Sequence, residues 1–225
     1  TRNLLGNVPG NVPEMHPGNV LKNVPGNVSE MYLEMSLGMC LDMYLEMYQK
    51  STLDCTWKCT WKCTWKFTRN ILGTVPYLID GNTKMTESVA MCQYMVNRYG
   101  PTDLEVDPDE EDYPNYLNWL FHADATLTFP QTVVLRYKFQ EPGVADAAVE
   151  GYSRWFVSRL KLLESSLEGK EYLCSNRFTI ADICVSYAIQ LASNLEIHQA
   201  LKPNIKRWSE NLFEREAFKK ALSLK

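Results

Sequence analysis

Hydrophobic and polar positions change period three times along the second half of the chain. Over residues 74–79 and 84–86, two short β-rich runs flank Asp80-Gly81-Asn82, the pattern of a hairpin. Pro76 suits a strand start or edge, because it has no N–H to give to a ladder. From Glu87 the period becomes helical: Val89, Cys92, Met95, Val96 and Tyr99 fall on one face, and Gly100-Pro101 stops the helix. Residues 102–112 are acidic, contain Pro108 and little apolar material, and predict an inter-domain linker. Everything after that predicts helices. Residues 113–135 carry Tyr116, Leu117, Leu120, Phe121 and Leu127, and a turn follows at 140–143. Residues 145–167 carry Tyr152, Trp155, Phe156, Leu160 and Leu163 at helical spacing, and Gly169 ends that helix.

The sharpest local signal is Phe178-Thr179-Ile180-Ala181-Asp182-Ile183. Thr179 is placed as an N-cap with Asp182 three residues on, a capping box with Asp where Glu is usual, and Phe178 with Ile183 fits a hydrophobic staple. Ile183, Cys184, Tyr187, Ala188 and Leu191 then predict the buried face of a central helix. Thr179 and Asp182 are therefore assigned a structural role.

The first seventy residues follow a different rule. They are built of tetrads: Val-Pro-Gly-Asn recurs over 8–28, Tyr-Leu-Glu-Met and its variants fill 32–47, and Cys-Thr-Trp-Lys stands three times over 55–66. The genetic code connects the three. TGT-ACC-TGG-AAA encodes Cys-Thr-Trp-Lys; shifted by one base, the tandem repeat gives Val-Pro-Gly-Asn, and by two, Tyr-Leu-Glu-Met. One twelve-base repeat read in three frames yields the region, so a frame-slipped translated minisatellite, or an error in the gene model, is the hypothesis. The Val-Pro-Gly-Asn part predicts turn-rich coil. Leucines at 33, 37, 41 and 45 predict a helix over 30–48, with a stripe smeared by the mismatch between a period of four and one of 3.6.

Composition narrows the class. Net charge is −4 and 45% of the 225 residues are hydrophobic, which suits a globular protein without a nucleic-acid footprint. No apolar run is long enough to span a bilayer and no signal pattern opens the chain, so a cytoplasmic protein without membrane contact is expected. The seven cysteines are an odd number and predict reduced thiols rather than a disulfide framework. Cys55, Cys59 and Cys63 share a four-residue spacing, but the repeat accounts for it, and zinc sites use tighter pairs; no metal is expected.

At the start of the helix after the hairpin, free N–H groups and the Ser88 hydroxyl suit a carboxylate, Glu87 suits an ammonium, and the Val75 backbone suits a peptide laid alongside. On physics alone, the plainer account is preferred, with Thr86 or Ser88 as a cap and Pro76 as an edge marker.

Val75-Pro76, Asp80-Gly81, Thr86-Glu87-Ser88 and the helix with Ala90, Tyr94 and Tyr99-Gly100 resemble the second half of the thioredoxin-like domain of glutathione transferases. The 178–183 box and the series Pro203, Ile205, Trp208, Leu212, Arg215, Ala217-Phe218 are similar to that family's helical domain, and Trp119-Leu120-Phe121 with 126–130 is closest to bacterial-type members. The resemblance runs from about Gly73 to the end. It implies a mainly α fold: a truncated thioredoxin-like hairpin and helix over 71–101, the linker 102–112, and an all-α bundle over 113–225, preceded by the low-complexity repeats of 1–70. By the same resemblance Pro76 is cis, Val75 pairs with the cysteinyl backbone of glutathione, and Glu87 and Ser88 hold its γ-glutamyl end. It implies glutathione as co-substrate, a small electrophile as acceptor, and a homodimer as the usual assembly. The family's thiol-activating Tyr, Ser or Cys belongs to the first strand, which the repeats replace here, so no catalytic residue is nominated. His16, His122 and His198 stand far apart, and His122 is expected to be packed rather than basic. Two functions follow: conjugation of glutathione to electrophiles, or a non-catalytic module of the same fold, including the product of a damaged gene.

Overall fold

The computed structural model describes residues 76–223. The tetrad repeats, the expected helix over 30–48, Cys55, Cys59, Cys63 and Val75 with its bond to Pro76 lie outside the described residues.

The hairpin is short. Strand β1 (Leu78–Asp80) pairs antiparallel with β2 (Thr83–Met85) in the register Leu78 to Met85, Ile79 to Lys84 and Asp80 to Thr83. Gly81 takes φ +58 at the first loop position, the sign a two-residue II′ loop requires there and one only glycine adopts freely. Helix α1 (Ser88–Tyr99) follows, and Leu78 packs on Met91 with Met85 and Tyr94 against them. Tyr94 donates to Asp80 Oδ2 at 2.7 Å, and the Tyr99 hydroxyl donates to the same oxygen, tying the hairpin turn to the helix flank. Those two bonds hold the Asp80 carboxyl below its ordinary range, while burial and the facing carboxylate raise the Tyr99 hydroxyl. The α1 core face is Met91, Cys92, Met95 and Val96; Tyr99, expected on it, is instead spent on Asp80.

α1 ends where Gly100 turns to extended backbone, and a side chain does not fit there: a Cβ would lie 2.5 Å from the Val96 carbonyl oxygen. Beyond residues 101–112, helix α2 (Tyr113–Phe121) continues through a π-type stretch (His122–Thr128) into α3 (Phe129–Leu135) and a second such stretch (Arg136–Gln140). Pro130 is the physical reason for the irregularity, since it has no N–H to return. The wider turn lets Phe129 N–H reach back to Asp124, while Thr128 Oγ1 takes the Ala123 carbonyl at 2.8 Å. Phe121 is 72% exposed, contrary to its expected place on the core face, and Trp119 is buried in its stead. Helical rotation explains this: with Tyr116, Leu120 and Ala123 facing inward, Trp119 lies on their flank and Phe121 turns away.

Helix α4 (Asp146–Ser166) buries Phe156, Leu160 and Leu163. Helix α5 (Ile180–Asn194) is the centre of the bundle. It buries more than the one expected face, adding Ile180, Ala181, Val185, Ile189 and Ala192, because α1, α2, the first π-type stretch and α6 (Pro203–Phe213) all touch it. Ile205, Trp208 and Leu212 of α6 complete that core, and α7 (Glu216–Ser223) closes the described chain. No described helix is long and apolar enough to cross a membrane.

The capping box is complete. Thr179 Oγ1 accepts from Ala181 N–H at 3.3 Å, and Asp182 Oδ2 accepts from Thr179 N–H at 3.0 Å. The other oxygen, Asp182 Oδ1, accepts from Leu173 N–H and from Trp208 Nε1, both at 3.0 Å. One buried carboxylate thus joins the α5 start, the preceding loop and α6.

Candidate functional site

The candidate site is built on the N-terminus of α1. Glu87 occupies the cap position in extended backbone and makes no side-chain cap bond, so neither Thr86 nor Ser88 closes the helix. Thr86 Oγ1 instead donates to Glu87 Oε1 at 3.2 Å. The first helical bond is Met91 N–H to Glu87 O at 2.9 Å, which leaves the N–H groups of Ser88, Val89 and Ala90 without a helical acceptor. Those donors sit at the positive end of a twelve-residue helix, the setting in which a ligand carboxylate is held.

Glu87 is exposed and Ser88 half-buried, so one offers a solvent-facing carboxylate and the other a hydroxyl at the same helix end. Pro76 stands two residues before β1, the strand that the Leu78–Met91 contact seats against α1. The structure therefore brings Glu87 and Ser88 together and links them to Pro76 through the hairpin.

Sequence patterning missed Asp124. It lies on the first π-type stretch with its side chain exposed, and the surrounding protein, by displacing water, and then the charge of Glu87 raise its carboxyl. Thirty-seven positions separate them, and only the tertiary structure reveals the relation. His122, on the same stretch, is held below its ordinary value by burial and by the Arg159 charge. Its ring meets Trp119 edge-on at 5.2 Å, the packed histidine expected from sequence. Cys92, Cys174 and Cys184 are buried, and burial drives the Cys174 thiol well above the ordinary thiol range, the opposite of what a nucleophile needs. Among the described residues, no group of three or more His, Cys, Asp or Glu is placed to hold a metal ion.

This architecture has clear relatives. Residues 134–216 match the glutathione S-transferase C-terminal domain and residues 65–103 the glutathione S-transferase N-terminal domain, so the N-terminal match begins within the last tetrads. The chain is 27% identical over 164 residues to glutathione S-transferase 3 of Zea mays, covering 68% of this chain and 72% of that protein. Matches to further glutathione S-transferases span 65% and 64% of their length, just under two thirds. In solved structures, a glutathione S-transferase from Actinobacillus pleuropneumoniae superposes with a TM-score of 0.57 at 25% identity, covering 68% of this chain and 69% of that one. Ure2p5 from Phanerochaete chrysosporium, cocrystallized with 1-(S-glutathionyl)-2,4-dinitrobenzene, shares the fold with a TM-score of 0.59 at 24% identity, over 68% and 76% of the two chains. Matches to both the N-terminal and the C-terminal domain agree with these relatives, and the chain belongs to the glutathione S-transferase family.

Proposed function

We propose that this protein binds glutathione at the start of α1 and conjugates it to small electrophiles. The observation that carries the proposal is the uncapped α1 N-terminus with Glu87 and Ser88 upon it. The γ-glutamyl carboxylate is received by the Ser88 and Val89 N–H groups and the Ser88 hydroxyl, and the ammonium by Glu87. Asp124 adds negative potential on that side, and an ammonium between the two carboxyl groups relieves their repulsion. Val75, next to Pro76, pairs through its backbone with the cysteinyl unit. In the conjugation, the glutathione thiolate forms a C–S bond to the electrophilic carbon, and the leaving group departs with the bonding pair. No described residue is assigned to activate the thiol. A Ure2p5 crystal containing the conjugate of glutathione with dinitrobenzene supports an aromatic electrophile as acceptor.

We propose further that the working unit is a homodimer of cytoplasmic location. An aromatic cluster on α3 and α4 supports the dimer: Phe129 and Trp155 are exposed, and Phe129 meets Trp155 and the half-buried Tyr152 at 6.3 Å each. Sedimentation shows a species of twice the chain mass if this is right, and a monomer at micromolar concentration refutes it.

The test of function is calorimetric titration with glutathione, followed by conjugation of 1-chloro-2,4-dinitrobenzene monitored by product absorbance. Saturable binding with turnover supports the proposal and overturns the non-catalytic reading; weak or absent binding, or binding without turnover, refutes conjugation and leaves the non-catalytic module.

A further inference from the structure

Residues 102–112 hold the molecule together more firmly than an acidic linker is expected to. Its two large aliphatic side chains, Leu104 and Val106, are buried in the main core. The Leu104 carbonyl accepts from Ile180 N–H at 2.9 Å, satisfying a first-turn donor of α5 that has no helical partner. Beside it, the Arg177 guanidinium closes over the strand of linker. Nε donates to Asp103 O at 3.1 Å, Nη2 to Glu105 O at 2.7 Å and to Glu110 Oε1 at 2.5 Å, and Nη1 to Glu110 Oε2 at 2.8 Å.

Arg177 is itself anchored. Its N–H donates to Cys174 O at 3.2 Å, Ser175 N–H donates to Asp112 Oδ2 at 2.6 Å, and Leu173 N–H is held by the buried Asp182. The rigid start of the central helix thus grips the linker through one planar fork, whose donors match two carbonyls and a carboxylate at fixed angles. From Asp103 to the end of α1 at Tyr99 only Gly100, Pro101 and Thr102 intervene, so little slack separates the grip from the helix.

We propose that Arg177 is a positioning residue: by clamping the linker to the start of α5, it fixes where α1, and with it Glu87 and Ser88, stands relative to the bundle. The functional consequence rests on the glutathione site proposed above. The apolar contacts of Cys92, Met95 and Val96 hold α1 on the core, but apolar burial is non-directional and tolerates sliding. α1 is about 18 Å long, so a tilt of about 5° at its linker end moves the Ser88 end by about 1.5 Å, enough to break a hydrogen bond.

The experiment compares Arg177→Met, Arg177→Lys and Glu110→Gln in the full chain with Arg207→Met. Arg207 Nη2 bonds the Leu167 and Lys170 carbonyls at 3.0 and 2.9 Å, away from the linker, so that variant reports loss of a comparable structural bond. Hydrogen exchange of residues 102–106 and of the α1 amides, and the glutathione dissociation constant well below the melting transition, are the readouts. The Arg177 variants are expected to exchange about tenfold faster in both segments and to bind glutathione about tenfold more weakly, with Lys failing to rescue because it lacks the fork, and Glu110→Gln intermediate. Arg207→Met is expected to lower the melting temperature while leaving the dissociation constant unchanged. Unchanged exchange in the linker and α1 overturns the proposal, as does an unchanged dissociation constant in both Arg177 variants. If the parent chain binds no glutathione, the function proposal falls, and exchange at α1 alone decides the clamp.

Discussion

Replacing Asp182 with alanine tests how one carboxyl group joins three elements. The side chain is fully buried and receives N–H groups from Leu173, Thr179 and the Trp208 indole, plus the Thr179 hydroxyl at 3.3 Å. An ordinary cap is worth about 1 kcal/mol. Here alanine leaves three buried N–H donors without an acceptor at about 1–3 kcal/mol each, so a non-additive loss of about 3–5 kcal/mol is expected. The charge works against part of that. Burial pushes Asp182 up to about 6 from 3.8, despite the bonds that favour the carboxylate. Between those two values the native state holds a proton that the unfolded chain has released. Stability from this group is therefore greatest at low pH and falls as pH rises through the window, by about 1.4 kcal/mol per pH unit and about 3 kcal/mol in all. Above pH 6 the native protein carries a buried charge, and alanine relieves it.

The loss on Asp182→Ala should accordingly be about 3–5 kcal/mol at pH 5 and about 1 kcal/mol smaller at pH 8. Urea unfolding at the two pH values measures it. Asp182→Asn, which cannot titrate, should flatten the stability profile between pH 4 and 6, and a Thr179→Ala control, losing the acceptor for Ala181 N–H and the long hydroxyl bond to Asp182 but none of the three N–H donors, should cost about 1 kcal/mol. A loss below about 1 kcal/mol for alanine at pH 5 refutes the three-donor account. A loss larger at pH 8 than at pH 5 refutes the sign assigned to burial.

Gly100→Ala forces a Cβ against the Val96 carbonyl, and a destabilisation of about 1–3 kcal/mol is expected in thermal melts; a neutral result would mean that the α1 end opens freely. Glu87→Gln and Ser88→Ala should each weaken glutathione binding by about tenfold in calorimetry without changing the melting temperature by more than a degree or two, since both residues face solvent or the helix end. Tyr94→Phe removes one of the two donors to Asp80, so amide exchange over residues 78–85 should quicken while the α5 core stays protected; unchanged hairpin protection would sink the tie. For the tetrads, sequencing the transcript should reveal a twelve-base tandem repeat read in three frames, and its absence removes the minisatellite hypothesis.

Much of this architecture is written in neighbours of four residues or fewer. Gly81 between two β-rich runs, the α1 period ended by Gly100-Pro101, and Thr179 with Asp182 ahead of an apolar run are all local, because turns, caps and helix faces are set by bonds within a turn of chain. The start of α1 with Glu87 and Ser88 was legible for the same reason. Sequence period also placed Phe121 inside and left Trp119 unclaimed, since a stripe tells which residues lie together but not where the partner helix sits. The rest depends on tertiary packing. Asp80 with Tyr94 and Tyr99, Asp124 near Glu87, and Arg177 on Asp103, Glu105 and Glu110 unite residues from fourteen to seventy-four positions apart. No periodicity encodes such meetings. Local bonds choose the elements, whereas the linker grip and the setting of the α1 terminus arise only once those elements close on one core.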